Sequence, residues 1–411
     1  MNTSNILFKK LILILLLSIL LFSLTGCYDA KGVETLSYVV AIGLDVGENN
    51  LLKLTLQLAT TGESGGGPSL YTDTTITSVE CTSINSGFNL INSYISKQIY
   101  LAHCKIIVIS EELAAEGISE YISTFANNIE IRPDCNILIS RCDASDFLNA
   151  SSPGLETLVA KHYDLVFNSI TYTGFSSDAT LFSVFSALED EYCHPTAILS
   201  GITSSEQGQS TSTSNFVDLD GNYKAGNTPV DSQNELENMG LAVFYEDNLV
   251  GELTGIETVC HLMFTNSFHH TVLSIPNPFV ENGFIDLSLL KKDNMSKEVK
   301  LINGSPYIKG KVSLIGNIVS MDIGLDFSSS ENIEILEEYA SNYLKEHLLN
   351  YLYKTSKDFG TDIVGFGRIL LKKYWTFEEW EKIDWLKLYK DSFFDVEIDL
   401  DIKNSNLLLK N

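Results

Sequence analysis

The run Leu24-Thr25-Gly26-Cys27 constrains this chain more than any other feature, because it closes a short apolar stretch at the N-terminus and marks where the folded part starts. Lys9 and Lys10 precede Leu11 to Phe22, which is apolar apart from Ser18. These are the charged and hydrophobic segments of an export signal, and the apolar run is shorter than the ~20 residues of a spanning helix. Small Gly26 lets a peptidase approach the backbone, and the Cys27 thiol is the acceptor for a diacylglyceryl group. Residues 1–26 are therefore expected to be a lipoprotein signal peptide, leaving lipidated Cys27 as the first mature residue. Two acyl chains, at ~0.8 kcal/mol per buried CH₂, anchor a protein stably where one binds only marginally.

A chain of 411 residues has room for two or three domains with real cores. Its 44% hydrophobic and 19% charged content is that of a globular protein. The formal charge of −26 excludes a nucleic-acid partner, whose binding rests on Lys and Arg at phosphates. Anionic headgroups would repel such a surface too, so the lipid on Cys27 must hold it at the membrane. Six further cysteines include no C-x-x-C pair. Cys81 and Cys104 lie in or beside strand-like runs, where a thiol acts as a small buried hydrophobe. Cys135 and Cys142 are the candidate disulfide of an exported chain, although their spacing alone does not show that their Cβ atoms face each other.

Leu36 to Leu44 reads as a strand, and Leu52, Leu54, Leu56 and Leu58 alternate with polar residues in a second. Together they make a half-buried hairpin around Asp45 to Asn50. Ile84, Phe88, Ile91 and Ile95 recur at helical spacing. A strand at Ile106 to Ile109, a helix at Ile118 to Phe125 and a strand at Asn136 to Ser140 follow, an α/β or α+β layer. The Gly62 to Pro68 segment is a loop, not a phosphate cradle, because it lacks the Lys-Ser/Thr of a P-loop. Between Thr203 and Asn238 polar residues replace apolar periodicity. Beyond it, Met239 to Tyr245 and Asn248 to Leu253 form a hairpin turning at Glu246-Asp247, and further strands lie at Thr271 to Ile275, Gly283 to Leu290, Val299 to Ile302 and Lys309 to Leu325. Glu331 to Lys357 is the longest helical pattern, with acidic first turns that suit the helix dipole. Helices at Ile363 to Trp375 and Glu378 to Tyr389 lead to a closing strand whose Val396, Ile398, Leu400 and Ile402 alternate with acids. The expected organisation is 27–203 as an N-terminal mixed α/β domain, 204–238 as a polar linker or surface loop, and 239–405 as a C-terminal α+β region with a further division near 295.

No catalytic residue, metal site or bound cofactor is expected. His103, His269-His270, Cys193-His194 and Cys260-His261 lack partners at metal spacing, and neighbours on a strand point to opposite faces. There is no G-x-S-x-G elbow or H-E-x-x-H helix. In Gly365-Phe366-Gly367-Arg368, glycines around a phenylalanine permit a sharp bend. Phe366 then either packs in the core or, with Arg368, contacts a partner. Trp375, Trp380, Trp385, Tyr374 and Tyr389 gather large aromatics, most of them for a core, where an exposed pair would anchor an interface.

Four blocks in order behind Cys27 resemble the Ger(x)C spore germination lipoproteins. They are Gly26-Cys27-Tyr28-Asp29 with the strand from Tyr38 to Asp45; His103-Cys104-Lys105 through Glu130-Ile131-Arg132; Gly240 to Phe244 with Leu249-Val250-Gly251; and Asp362 to Arg368 followed by Trp380, Trp385 and the final strand. Two departures stand out: Asn127-Asn128 where Arg-Asp is usual, and no proline near Trp375. The resemblance implies an elongated, multi-domain α+β or mixed α/β fold, with mixed sheets flanked by helices and long helices near the C-terminus. It implies a non-enzymatic subunit, lipid-anchored on the outer face of the spore inner membrane, assembled with a polytopic A subunit and a transporter-like B subunit of a nutrient receptor. The alternative is a lipoprotein that captures solute for a transporter, which needs a cleft between two α/β lobes.

Overall fold

The structure, a computed structural model, describes residues 3–23, 32–62, 69–151, 159–168, 170–203, 221–230, 236–321, 330–376, 379–380 and 382–403. Cys27, residues 63–68 of the expected loop, and residues 204–220 and 231–235 of the polar segment lie outside these. The strands are β1 (Leu36–Val46), β2 (Leu52–Gly62), β3 (Ser69–Cys81), β4 (Gln98–Tyr100), β5 (Ile106–Ser110), β6 (Asn136–Ser140), β7 (Thr196–Ile202), β8 (Leu236–Tyr245), β9 (Asn248–Leu253), β10 (His270–Pro276), β11 (Phe284–Lys291), β12 (Ser296–Ile302), β13 (Ser305–Met321) and β14 (Phe393–Lys403). The helices are α1 (Thr3–Ser23), α2 (Ile84–Tyr94), α3 (Glu111–Glu116), α4 (Ser119–Ala126), α5 (Ala144–Ala150), α6 (Val159–Asn168), α7 (Ile170–Thr173), α8 (Leu181–Leu188), α9 (Gly255–Thr265), α10 (Ser330–Tyr353), α11 (Phe366–Leu371) and α12 (Trp385–Tyr389). Among the described residues no helix is long and apolar enough to cross a membrane.

Nine strands form the first sheet in the order β3-β2-β1-β5-β6-β7-β8-β9, with β4 beside β1. Its centre, β1-β5-β6-β7, is parallel, and its flanks are antiparallel. Parallel strands need cover on both faces, and β1 and β5 are accordingly apolar with little alternation. The expected hairpin forms, with Val46 opposite Leu52 and Asn49 at a left-handed φ of 55° in the turn.

The hairpin is not half-buried, however. On the polar side of β2, Lys53 Nζ donates to Ser145 Oγ at 2.9 Å, and Thr55 bonds Ser78 at 2.8 Å. Gln57 Oε1 accepts from the Tyr163 hydroxyl at 2.8 Å. These polar residues are paired under α5 and α6 rather than solvated. β3 was not evident in the sequence, because its Thr-rich run has little apolar alternation.

Cys135 and Cys142 are not bridged; all six described cysteines are free thiols. The five residues of β6 stand between them, and at ~3.3 Å per extended residue they hold the two Cα atoms apart by far more than the ~7 Å a disulfide spans.

The second sheet runs β10-β11-β13-β12, with β14 parallel to β13. Position 295, where a division was expected, falls between β11 and β12 of this one sheet. The chain from 239 to 253, expected in the C-terminal region, instead completes the first sheet within β8 and β9, and β8 starts inside the expected linker at Leu236. Described parts of the polar segment are packed as well: Ala225 is buried, and Gly221 and Tyr223 carbonyls accept the Ile256 and Gly255 N–H groups at the start of α9.

Strand β8 belongs to both hydrophobic cores. Side chains on a strand alternate between faces, so Ala242 and Phe244 join the core of the first sheet while Leu241 and Val243 join that of the second. A Thr254–Glu257 capping box then starts α9, which carries Val259, Met263 and Phe264 under the second sheet.

Two helices expected near the C-terminus are shorter than their patterns. The pattern from Ile363 to Trp375 yields only α11, because Gly365 at φ 78° precedes it and the Asp362 carboxylate captures N–H groups ahead of the first turn. The one from Glu378 to Tyr389 yields helical residues at 379–380 and then α12, which Asp384 caps by accepting the Lys387 N–H at 3.3 Å.

Candidate functional site

The densest polar constellation among the described residues sits where the two cores meet, at Thr361 to Arg368. Helix α10 continues through Lys354–Phe359 as a wider π-turn and stops at Gly360, whose φ of 66° reverses the chain. Thr361 then donates from Oγ1 to the Phe244 carbonyl of β8 at 3.0 Å. The same hydroxyl bonds His194 Nδ1 at 2.5 Å, and the His194 N–H donates to the Asp362 carbonyl at 3.0 Å. Since the one hydroxyl proton goes to Phe244, the ring donates from Nδ1, and burial, which lowers the His194 pKa, favours the neutral tautomer protonated there.

Asp362 is fully buried. Its Oδ1 accepts N–H bonds from Val364 at 3.1 Å and Gly365 at 2.8 Å. Its Oδ2 accepts from the Gly367 N–H at 2.8 Å and from Trp385 Nε1 at 3.0 Å. Burial pushes the carboxyl above its ordinary pKa while the surrounding N–H donors act the other way. Four donors converging on two oxygens is the pattern that suits an ionised, acceptor-only carboxylate. Gly367 is needed for a second reason: a Cβ there would stand 2.7 Å from Trp385 Nε1.

Phe366 is fully buried, with ring centroids 5.9 Å from Phe264 and 6.2 Å from Tyr389. The alternative of a partner contact is therefore corrected for this residue, since it has no surface to present. Arg368 is half-exposed and pairs with Asp190, donating from Nε at 2.7 Å and also from Nη2. Asp190 also accepts the Tyr192 N–H at 2.7 Å, and Tyr192 packs on Trp380 at 5.3 Å between centroids. The pair thus joins the segment after α8 to the start of α11. Trp380 and Trp385 are core residues, whereas Trp375 is 96% exposed. Beside the joint lies an open groove of about 470 Å³ lined by Glu189, Asp190, Glu191, Glu246, Asp247 and His194, among others.

A second polar bridge joins the sheets behind β9. Glu252 pairs with Lys224 at 3.0 Å and Arg141 at 3.1 Å, although Arg141 Nε and Glu252 Oε1 are not aligned as a hydrogen bond. Lys354 of the π-turn meets Glu257 at 2.7 Å and the Glu252 carbonyl at 3.1 Å.

His261, His270 and His103 have structural partners. His261 Nδ1 bonds the Tyr351 hydroxyl at 2.9 Å, and burial pushes its pKa down to about 4. His270 bonds the Tyr172 carbonyl and Ser288 Oγ, both at 2.9 Å. His103 packs edge-on against Tyr38. Among the described residues no three His, Cys, Asp or Glu side chains are grouped to hold a metal.

Sequence reasoning singled out the Gly365 to Arg368 block, but it took Asp362 only as the start of a family block and His194 only as a histidine without metal partners, and it missed Thr361. One signal was present: an Asp a few residues ahead of glycines favours side-chain capture of backbone N–H groups. Nothing local could place His194, which is 167 residues away from Thr361.

The fold is that of a two-sheet α+β protein with a buried polar cluster at the joint between its cores. Comparison with known proteins makes this specific. Residues 29–217 match the model of the spore germination protein N-terminal domain, and residues 239–406 match the spore germination B3/GerAC-like C-terminal model. Spore germination protein KC of Bacillus subtilis (strain 168) is 23% identical over 408 residues, covering 96% of this chain and 94% of that one. The putative spore germination protein YfkR of the same organism is 22% identical, covering 98% and 97%. The crystal structure of the GerBC protein superposes with a TM-score of 0.53 at 15% identity, over 88% of this chain and 97% of that one. The chain belongs to the Ger(x)C family of spore germination proteins, the C subunits of germinant receptors.

Proposed function

We propose that this protein is a non-catalytic subunit of a nutrient germinant receptor, held to the outer face of the spore inner membrane by diacylglyceryl on Cys27. It assembles there with the polytopic A subunit and the transporter-like B subunit and acts through protein contacts. The observation that carries the reading is that both halves match the spore germination models behind an intact Gly26-Cys27 lipidation signal. The geometry supports a role without chemistry of its own: Asp362, His194 and Arg368 at the joint are each bonded to other groups of this chain, Asp362 within its own turn and His194 and Arg368 across the joint. Solute capture between two α/β lobes finds less support, because residues 270–321 form an antiparallel sheet rather than a second βα lobe.

The test is affinity purification of the tagged protein from detergent-solubilised spore membranes, beside a Cys27→Ala form. Co-recovery of one polytopic and one transporter-like membrane protein, with Cys27→Ala shifting most of the chain to the soluble fraction, is the expected outcome. Recovery with an ATP-driven permease would replace the receptor reading by solute capture. Unchanged detergent-dependent membrane association of Cys27→Ala would remove the lipid anchor from it.

A further inference from the structure

The turns leading into β5 and β6 bring Cys104 and Cys135 together, at 2% and 1% exposure, with their sulfur atoms 3.8 Å apart. Backbone bonds on both sides dictate this placement. The Cys104 N–H donates to the Leu101 carbonyl, the Cys135 N–H to the Arg132 carbonyl, and the Asn136 N–H to the Lys105 carbonyl. The two turns are thereby locked side by side at the same end of neighbouring parallel strands. A sulfur–sulfur bond is about 2.05 Å long, so a gap of about 1.8 Å remains, within the reach of side-chain rotation when the backbones are already adjacent. Cys104 Sγ also donates to the Ile106 carbonyl at 3.3 Å, as Cys81 does to the Leu52 carbonyl at 3.4 Å, so forming the bond gives up one weak thiol contact.

We propose that Cys104 and Cys135 are joined by a disulfide in the exported protein, tying together the two ends of the β5-α3-α4-β6 crossover. The inference rests on the export reading, since such bonds persist on the oxidising side of a membrane and not in the cytosol. The electron acceptor is the disulfide of an exported thiol oxidoreductase. The thiolate of one cysteine attacks that disulfide, breaking its sulfur–sulfur bond and releasing one oxidoreductase thiol. The second cysteine loses its proton and attacks the mixed disulfide, forming the Cys104–Cys135 bond and releasing the other thiol. Two electrons and two protons thus pass from this chain to the oxidoreductase, which becomes a dithiol. Both sulfurs are buried in the folded domain, so the exchange occurs before the crossover packs, and the finished bond is then shielded from reductant.

The test uses full-length protein solubilised from spore membranes, alkylated under denaturing conditions without reduction, digested and mapped by mass spectrometry. The expected result is a linked pair of peptides carrying Cys104 and Cys135 that separates on reduction. Free, alkylated thiols at both positions overturn the proposal, as does either cysteine bridged to a different one. The same mapping on purified full chain refolded in a glutathione redox couple tells the two failures apart. A bridge formed there but absent from spores would overturn the proposal through the export reading. Absence in both would overturn it through the geometry of the two turns.

Discussion

The two sheets solve the same problem by different means, and the joint between them differs from both. In the first, β1 and β5 are covered on either face, and even the polar side of β2 is paired beneath helices. In the second, α9, α10 and α11 cover one face, so β14 buries Phe394, Val396, Leu400 and Ile402 while Glu397 and Asp399 face solvent. Apolar area holds each sheet to its own helices. Between them, β8 is shared by the two cores; Thr361, bonded to the Phe244 carbonyl and to His194, ties the end of α10 to the first sheet, while the Asp362 carboxylate, whose four donors all lie between 364 and 385, shapes the turn that carries Thr361. Burial is tolerant of small rotations, whereas four N–H donors on one carboxylate are not. The turn at the joint is therefore fixed by polar geometry, and each core by apolar packing.

That contrast breaks first at Asp362. Asp362→Ala leaves the Val364, Gly365, Gly367 and Trp385 donors without acceptors in a dry site, and the expected loss is roughly 3–5 kcal/mol. Urea unfolding of the chain measures it; a loss below about 1 kcal/mol would mean that packing alone holds the turn after α10.

The next effect belongs to the apolar side of the comparison. His261 is buried with a pKa of about 4 in the folded chain, against about 6.5 unfolded. Between those values the unfolded chain binds the extra proton, so stability is fully present above pH ~6.5 and falls as pH drops toward 4. The single site accounts for roughly 3 kcal/mol over that window. His261→Gln should flatten this part of the stability–pH curve, and an unchanged slope would show that the ring is not neutral in the core.

The smallest effect sharpens the joint's outer rim. Arg368 is 53% exposed at its side chain, so Arg368→Ala should cost no more than about 1 kcal/mol, and less at high salt. A salt-insensitive cost of several kcal/mol would place the Arg368–Asp190 pair inside the Asp362 bond network rather than at its edge.

Much of this architecture is visible in local pattern. The alternation of Leu52, Leu54, Leu56 and Leu58, the Glu246-Asp247 turn, the long α10 and the closing strand are each set by periods of 2 or 3.6 residues, which short segments carry by themselves. β3 was missed because Thr-rich runs show little apolar contrast. The helix expected from Ile363 was overestimated because capture of its first N–H groups by Asp362 leaves only a weak trace in sequence. Of the candidate site, the Gly365 to Arg368 block was recognisable, but its alternative roles were not separable, since a buried and a docked phenylalanine have the same neighbours in sequence.

By itself the sequence determined the kinds of elements and most of their order, the acidic net charge, and the family blocks from Tyr38 to the final strand. Only the tertiary structure decided that β8 and β9 complete the first sheet, that Phe366 is core, that Asp362 organises the turn at the joint, and that Cys104 meets Cys135 while Cys142 does not. The reason is physical: periodicity and signal chemistry act between residues a few positions apart. Burial, carboxylate capture and sulfur contact depend on which distant segments become neighbours, and those separations, 31 residues for the cysteines and 167 for His194 and Thr361, leave no local trace.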